Sequence, residues 1–352
     1  MSPQLRRSIP FLLLAALLLS ACEAAYHPTQ VPGSEARMSG QARRYLDSAL
    51  SLMQNHSLSR REVDWPRFRE QIYLRADGAE VPAHTYTAIS YALKSLNEHS
   101  FFIPPSTGIG GPAQPSLWPD MSARTLNGRF GYLRTQTFNS RDGDAHAQAY
   151  HDLIRQADAG APCGWIVDMR SNPGGNMWPM LAGVGPILGE GSPGSFIDAD
   201  GVQTPWFYEG GISGVVRDGR RVSAARVARP YRLQRPDPPV AVLTGVNTAS
   251  AAEAVVIAFR GRPDTRSFGL VTRGVPTANT SYDMPDGAVV VLTTAWEADR
   301  NGVIYRTRIE PDETIVGVES TNLDHDDTVQ AALAWLAAHP ACQGSAGEGG
   351  KG

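Results

Sequence analysis

An α/β fold is the class this sequence predicts, on three observations. From Gly128 onward, strand-like runs alternate with segments whose apolar residues recur at helical spacing. Two of the runs empty abruptly: Gly164 to Arg170 into Ser171-Asn172-Pro173-Gly174-Gly175-Asn176, and Val242 to Thr244 into Gly245-Val246-Asn247-Thr248-Ala249-Ser250, where a helix-compatible stretch begins. Ahead of them lies a helical unit with its own apolar period.

The elements are justified in chain order. Residues 1–21 have the form of an export signal, with Arg6 and Arg7 before an apolar run from Ile9 to Leu19 that is too short to span a membrane as a mature helix. Leu19-Ser20-Ala21-Cys22 looks like a lipobox, which implies cleavage before Cys22, its lipidation, and a lipoprotein facing the periplasm of a bacterial cell envelope, on the inner or the outer membrane. Residues 22–38, small and polar with two prolines, then form a tether. Residues 39–102 form an N-terminal helical subdomain, since Ala42, Tyr45, Leu46, Ala49, Leu50 and Met53 share one helix face and Tyr86 to Leu96 repeats the pattern. Residues 103–125, rich in Pro, Gly and Ser, connect it to an α/β core over 126–340.

Within the core the expected strands are Gly131 to Gln136, Gly164 to Met169, Pro239 to Thr244, Ala288 to Ala295 and Gly302 to Ile309. The expected helices are Ala145 to Ala157, Met177 to Leu188, Ala251 to Arg260 and Thr328 to His339. Residues 190–238 carry many Gly, Pro and Arg without a long apolar period and predict a hairpin and loops over the site; residues 341–352 are a flexible tail.

Composition narrows the partners. A formal net charge of −3 supplies no basic field for nucleic acid. No histidine, cysteine and acid combination has zinc-ligand spacing, so neither a metal nor a cofactor is expected. Once Cys22 is lipidated, Cys163 and Cys342 remain; in an oxidising compartment they form one disulfide, or they stand as two thiols.

Ser250 has the placement of a nucleophile. A hydroxyl at a strand-to-helix junction projects from a rigid edge, beside the free N–H groups and positive end of the following helix. The adjacent Gly174 and Gly175 let bare backbone approach a ligand, as an oxyanion hole requires. Together, Asp168-Met169-Arg170-Ser171-Asn172-Pro173-Gly174-Gly175 and Thr248-Ala249-Ser250-Ala251-Ala252-Glu253 resemble the tail-specific, or C-terminal-processing, serine peptidase family, which includes the tricorn core protease and the interphotoreceptor retinoid-binding modules. Weaker blocks at Leu96 to Phe101, Gly131 to Leu133, Gly269 to Gly274 and Ile309 to Asp312 follow in the same order.

The resemblance implies a crotonase-like (ClpP/crotonase) core, a peptide or protein substrate, and an acyl-enzyme on Ser250. It implies oxyanion donors in the N–H of Ala251 and of either Gly174 or Gly175, with Asp168, Arg170 and Asn172 holding the loop. This chain departs from the family in two respects. The connection before the core is too short for the PDZ domain that many members insert, and Val275 stands where they carry the lysine base. Lys94 and Lys351 are badly placed to replace it, and a guanidinium such as Arg273 does not deprotonate. His99 is the expected base, by its likeness to the histidine of the tricorn-type branch. No acid occupies the tricorn-type glutamate position in Val303 to Arg308, which leaves Glu253 or Ser100 as the orienting group. A serine-type endopeptidase without a Ser-Lys dyad is therefore expected, against the alternative of a non-catalytic module binding acyl, carboxylate or hydrophobic ligands.

Overall fold

The computed structural model describes residues 36–96, 98–105, 121–138 and 142–343. The signal segment, Cys22, most of the tether and the end of the tail, with Lys351, lie outside the described residues. Helices α1 (Gly40–His56), α2 (Trp65–Arg75) and α3 (Tyr86–Ser95) open the chain, followed by β1 (Phe101–Ile103), β2 (Ser122–Leu126), β3 (Phe130–Arg134), α4 (Gly143–Ala157) and β4 (Gly164–Asp168). Then come α5 (Met177–Leu188), β5 (Gly194–Asp198), β6 (Gln203–Glu209), β7 (Ile212–Arg217), β8 (Arg220–Arg226), β9 (Val240–Thr244) and α6 (Ala251–Phe259). The chain closes with β10 (Thr265–Gly269), β11 (Thr277–Asp283), β12 (Val289–Asp299), β13 (Ile304–Tyr305), β14 (Glu313–Thr314), α7 (Asp327–Ala338) and α8 (Pro340–Gln343).

A six-stranded sheet runs β14-β10-β9-β4-β3-β2, parallel except for the antiparallel edge strand β2. Its strands alternate between two cores because successive side chains point to opposite faces. Leu133, Trp165, Val167, Val240 and Val242 meet residues of α4, α5 and α6, whereas Phe130, Tyr132, Ile166, Ala241 and Leu243 meet Val329, Ala332, Leu333 and Leu336 of α7. Helices cover both faces, which is why β4 and β9 have no exposed residue. Cys163, just before β4, and Cys342 in α8 are joined by a disulfide, with both residues buried beside α7.

The second sheet follows the order β1-β12-β5-β6-β7-β8, with β11 and β13 also paired to β12. Residues 190–238 thus do more than form one hairpin and loops: they build four antiparallel strands. The turn signals are local, since Gly210-Gly211 and Asp218-Gly219 all have positive φ, as a two-residue hairpin turn requires. The expected strand from Gly302 to Ile309 shrinks to β13, because only Ile304 and Tyr305 find partners on β12. The 103–125 connection ends in a strand, β2, and its residues 106–120 lie outside the described set. α1 and α3 do not close a core of their own; with Trp65 and Ile72 of α2 they bury Leu46, Leu50, Ile89 and Leu93 against Met284, Ala288, Val290 and Leu292 around β12.

Candidate active site

β9 delivers the chain to Ser250 through a turn fixed from both sides. Thr248 donates its hydroxyl to Met169 O at 3.0 Å and accepts the Gly245 N–H at 3.0 Å, while Ala249 N–H bonds Asn172 O at 3.2 Å. Ser250 then caps α6 with φ 54° and ψ −123°, a conformation that costs an L-residue on the order of 1–3 kcal/mol and tends to occur at functional sites. Glycine tolerates it, so Ser250→Gly is expected to be more stable than Ser250→Ala by about 1 kcal/mol in urea denaturation. Equal stabilities would mean that the surrounding bonds, not the side chain, set this geometry.

The glycine loop lies against this turn. A Cβ on Gly174, whose φ is +104°, would come within 2.6 Å of Ala249 O and 2.9 Å of Ser250 Cβ, so only glycine lets the two segments touch. Asn172 Oδ1 accepts the Gly174 N–H at 3.0 Å, and Thr137 and Phe138 bond the Gly174 carbonyl. Of the two glycines proposed as donors, Gly174 is thereby already committed. Among the described residues no acceptor meets the N–H of Gly175 or that of Ala251, and both residues line the same cleft.

Asp168, Arg170 and Asn172 lie beneath the loop. Asp168 accepts from Arg170 Nε at 3.0 Å, Arg170 Nη2 at 2.7 Å and the Tyr132 hydroxyl at 2.8 Å, and Arg170 Nη1 reaches both oxygens of Asp326 at 2.9 Å. Burial alone would weaken the guanidinium's hold on its proton, but the two carboxylates more than offset that and raise its pKa.

Glu253 has a different place from an orienting group bonded to histidine. It is fully buried, and both of its oxygens are occupied: Oε2 accepts the N–H of Ser250 at 2.8 Å and of Val275 at 2.9 Å, and Oε1 accepts the Thr272 hydroxyl at 2.5 Å and the Gly274 N–H at 2.9 Å. The 272–275 loop is thereby pinned to α6 and Ser250 by a carboxylate. Glu253→Gln replaces one acceptor oxygen by a donor facing N–H groups, so a stability loss of about 3 kcal/mol is expected in urea denaturation. A loss under 1 kcal/mol would show that the loop holds itself.

His99 follows α3 in a bend, tied to the cleft wall by Asn279, whose Nδ2 donates to His99 O at 3.1 Å. The residue as a whole is exposed, yet enough protein surrounds the imidazole for desolvation to lower its pKa; the charge of Glu253 opposes this shift and that of Arg273 adds to it. The ring is therefore neutral at pH 7, the form a base needs. If His99 is that base, its essential form is lost only on acidification past the lowered pKa, so the acid limb of kcat/KM is expected below pH 6.5. A limb above 6.5 would exclude His99. Ser100 does not bond His99. Its hydroxyl donates to Glu98 Oε2 at 3.1 Å and accepts Thr293 N–H at 2.9 Å, which anchors the histidine's segment to β12.

The cleft above these groups has a volume of about 960 Å³ and runs between the oxyanion segments, β11, β12 and the β5–β8 excursion. One lining residue escaped sequence reasoning. Glu297, 2% exposed, is an acid inside the apolar run of β12, and that interruption was the available signal. Among the described residues no cluster of three His, Cys, Asp or Glu is suited to hold a metal ion.

A strained serine on a helix N-terminus, two backbone donors beside it and a desolvated imidazole, whose segment is tied to the cleft wall through Asn279, are the parts of an acyl-transfer hydrolase. A sequence model of peptidase family S41 matches residues 129–315, and the chain belongs to that family of C-terminal-processing, serine-type peptidases. It is 25% identical over 276 residues to the nisin-resistance protein of Lactococcus lactis subsp. lactis, covering 76% of this chain and 82% of that protein. To the chloroplastic C-terminal processing peptidase of Tetradesmus obliquus it is 27% identical over 245 residues, or 69% of this chain, and it spans only 45% of that relative's length. Among solved structures, a lipoprotein from Streptococcus agalactiae shares the fold with a TM-score of 0.65 at 22% identity, over 84% of this chain and 96% of that one. The photosystem II D1 C-terminal processing protease does so with 0.54 at 18% identity, over 83% and 97%.

Proposed function

We propose that this member of family S41 is an exported, lipid-anchored peptidase that cleaves peptides or proteins through an acyl-enzyme on Ser250, with His99 in place of the absent lysine. The observation that carries the reading is the strained turn at Ser250, with the N–H groups of Ala251 and Gly175, unpartnered among the described residues, on the same cleft. His99 takes the Ser250 proton as Oγ adds to the scissile carbonyl, whose oxygen receives the two N–H donors. The proton passes to the leaving amine; water, deprotonated by the same imidazole, then releases the acid and restores the serine. Glu253 positions Ser250 and keeps negative charge near the imidazolium that forms.

A fluorophosphonate probe tests this reading, with the adduct expected on Ser250 by peptide mass spectrometry. An unlabelled wild type that still binds a fatty acid or a peptide carboxylate would point to a binding module on the same crotonase-like core. The proposed layout is a signal over 1–21, a tether over 22–38, helices over 39–102, the peptidase core over 126–340 and a tail beyond. Among the described residues no helix is long and apolar enough to cross a membrane, and the anchor rests on Cys22. Cys22→Ala is expected to abolish incorporation of labelled palmitate into the expressed protein; undiminished incorporation would refute the anchor.

A further inference from the structure

Glu297 has no part in the mechanism above, yet it lines the cleft beside Ala251, and its buried Oε2 has no hydrogen-bond partner among the described residues. It lies opposite Phe196 of β5, on the strand face it shares with Ala295, and Phe196 and Ala295 line the same cleft. Its backbone N–H bonds Pro276 O at 3.2 Å, next to the loop that Glu253 pins. Buried polar groups are normally satisfied, so an orphaned carboxyl on the wall of a substrate cleft marks a place where a ligand supplies the missing partner.

The surrounding charge selects the ligand. Burial first, and then the charge of Glu253, hold the Glu297 carboxyl well above the ordinary carboxylate range, which favours its protonated form. The other charged or titratable groups on the cleft are His56, Arg60, Asp198, Arg217 and Tyr282, and Arg60 is already paired with Asp198 at 3.9 Å and Asp200 at 2.5 Å. No cation among the described residues acts on Glu297. A neutral side chain would gain one hydrogen bond there, whereas a cation gains that bond and the attraction of two carboxyl groups.

We infer that Glu297 forms a specificity subsite, beside the oxyanion donors, that accepts a lysine or arginine side chain of the peptide substrate. The ligand class rests on the peptidase reading; binding at the subsite does not require turnover. As the cation enters, Glu297 gives up its proton to solvent, so binding a basic peptide releases about one proton.

Calorimetry on the Ser250→Ala protein tests this, using end-blocked octapeptides in which one lysine is walked through an alanine and serine background, and a matching set with norleucine. At one position lysine is expected to bind about tenfold or more tightly than norleucine, with proton release seen as a buffer-dependent heat. In Ser250→Ala/Glu297→Gln the ratio should fall toward one and the proton release should vanish. Should that protein not fold, Glu297→Leu in the Ser250→Ala background, which leaves no unpaired polar group at the position, reads the same ratio, with a fall toward one expected. No preference for lysine at any position, or a preference that survives Glu297→Gln, overturns the inference. Labelling of the wild type by fluorophosphonate is scored separately: a labelled enzyme with a flat ratio sinks the subsite alone, and an unlabelled one with a lysine preference sinks the peptidase mechanism alone.

Discussion

Ser250→Ala is expected to lose peptide hydrolysis by roughly 10⁴-fold or more and all labelling by fluorophosphonate, because it removes the attacking hydroxyl beside the donors of Ala251 and Gly175. His99→Ala should lose on the order of 10³-fold or more, since the hydroxyl without a base is a weak nucleophile. Groups that act as one unit are not additive, so Ser250→Ala/His99→Ala should be no slower than Ser250→Ala alone. Steady-state kinetics with a quenched fluorescent peptide measures all three. A His99→Ala enzyme within tenfold of wild type would remove the histidine from the mechanism, and a further loss in the double variant would mean that the two residues act independently.

Breaking the disulfide should have the largest effect on stability. Cys163 and Cys342 are 179 residues apart in sequence, and closing a loop of that length restricts the unfolded chain by roughly 5 kcal/mol on the chain-entropy account. Cys163→Ala/Cys342→Ala is expected to lower the unfolding free energy by a few kcal/mol, up to about that figure, and dithiothreitol should have the same effect on the wild type in urea titrations. Ser250 belongs to the α6 side of the parallel sheet and the bond to the α7 side, so probe labelling below the new midpoint should remain within about threefold of wild type. A stability loss under 1 kcal/mol would show that α7 and α8 dock as firmly without the bond.

The core strands β3, β4 and β9, helices α4 to α7 and the family itself were legible because their signals are local: apolar runs of strand length, helical spacing, and two loops whose residue types suit oxyanion chemistry. What stayed hidden was set by distant partners. β10, Thr265 to Gly269, has arginine and serine in a five-residue run, and it is a strand because β9 and β14 flank it. Glu253 looked like an acid that orients a histidine; its four donors include Thr272, Gly274 and Val275, which only the fold brings to it. The choice between Gly174 and Gly175 as donor also depended on an acceptor, Asn172 Oδ1, whose direction no spacing reveals. The Asp-Gly and Gly-Gly turns of the β5–β8 excursion, by contrast, were readable signals that its high arginine and glycine content masked.

The anchoring of the 272–275 loop by Glu253 has a mechanical consequence. Here one carboxylate grips the amide of Ser250 and the amides of Gly274 and Val275 together, so the loop and the nucleophile shift as a single part. The loop continues through Pro276 into Thr277 on the cleft wall. A substrate that pushes on that wall therefore pulls on the backbone of the serine it is about to meet, and the fit of the peptide and the aim of the hydroxyl become one adjustment.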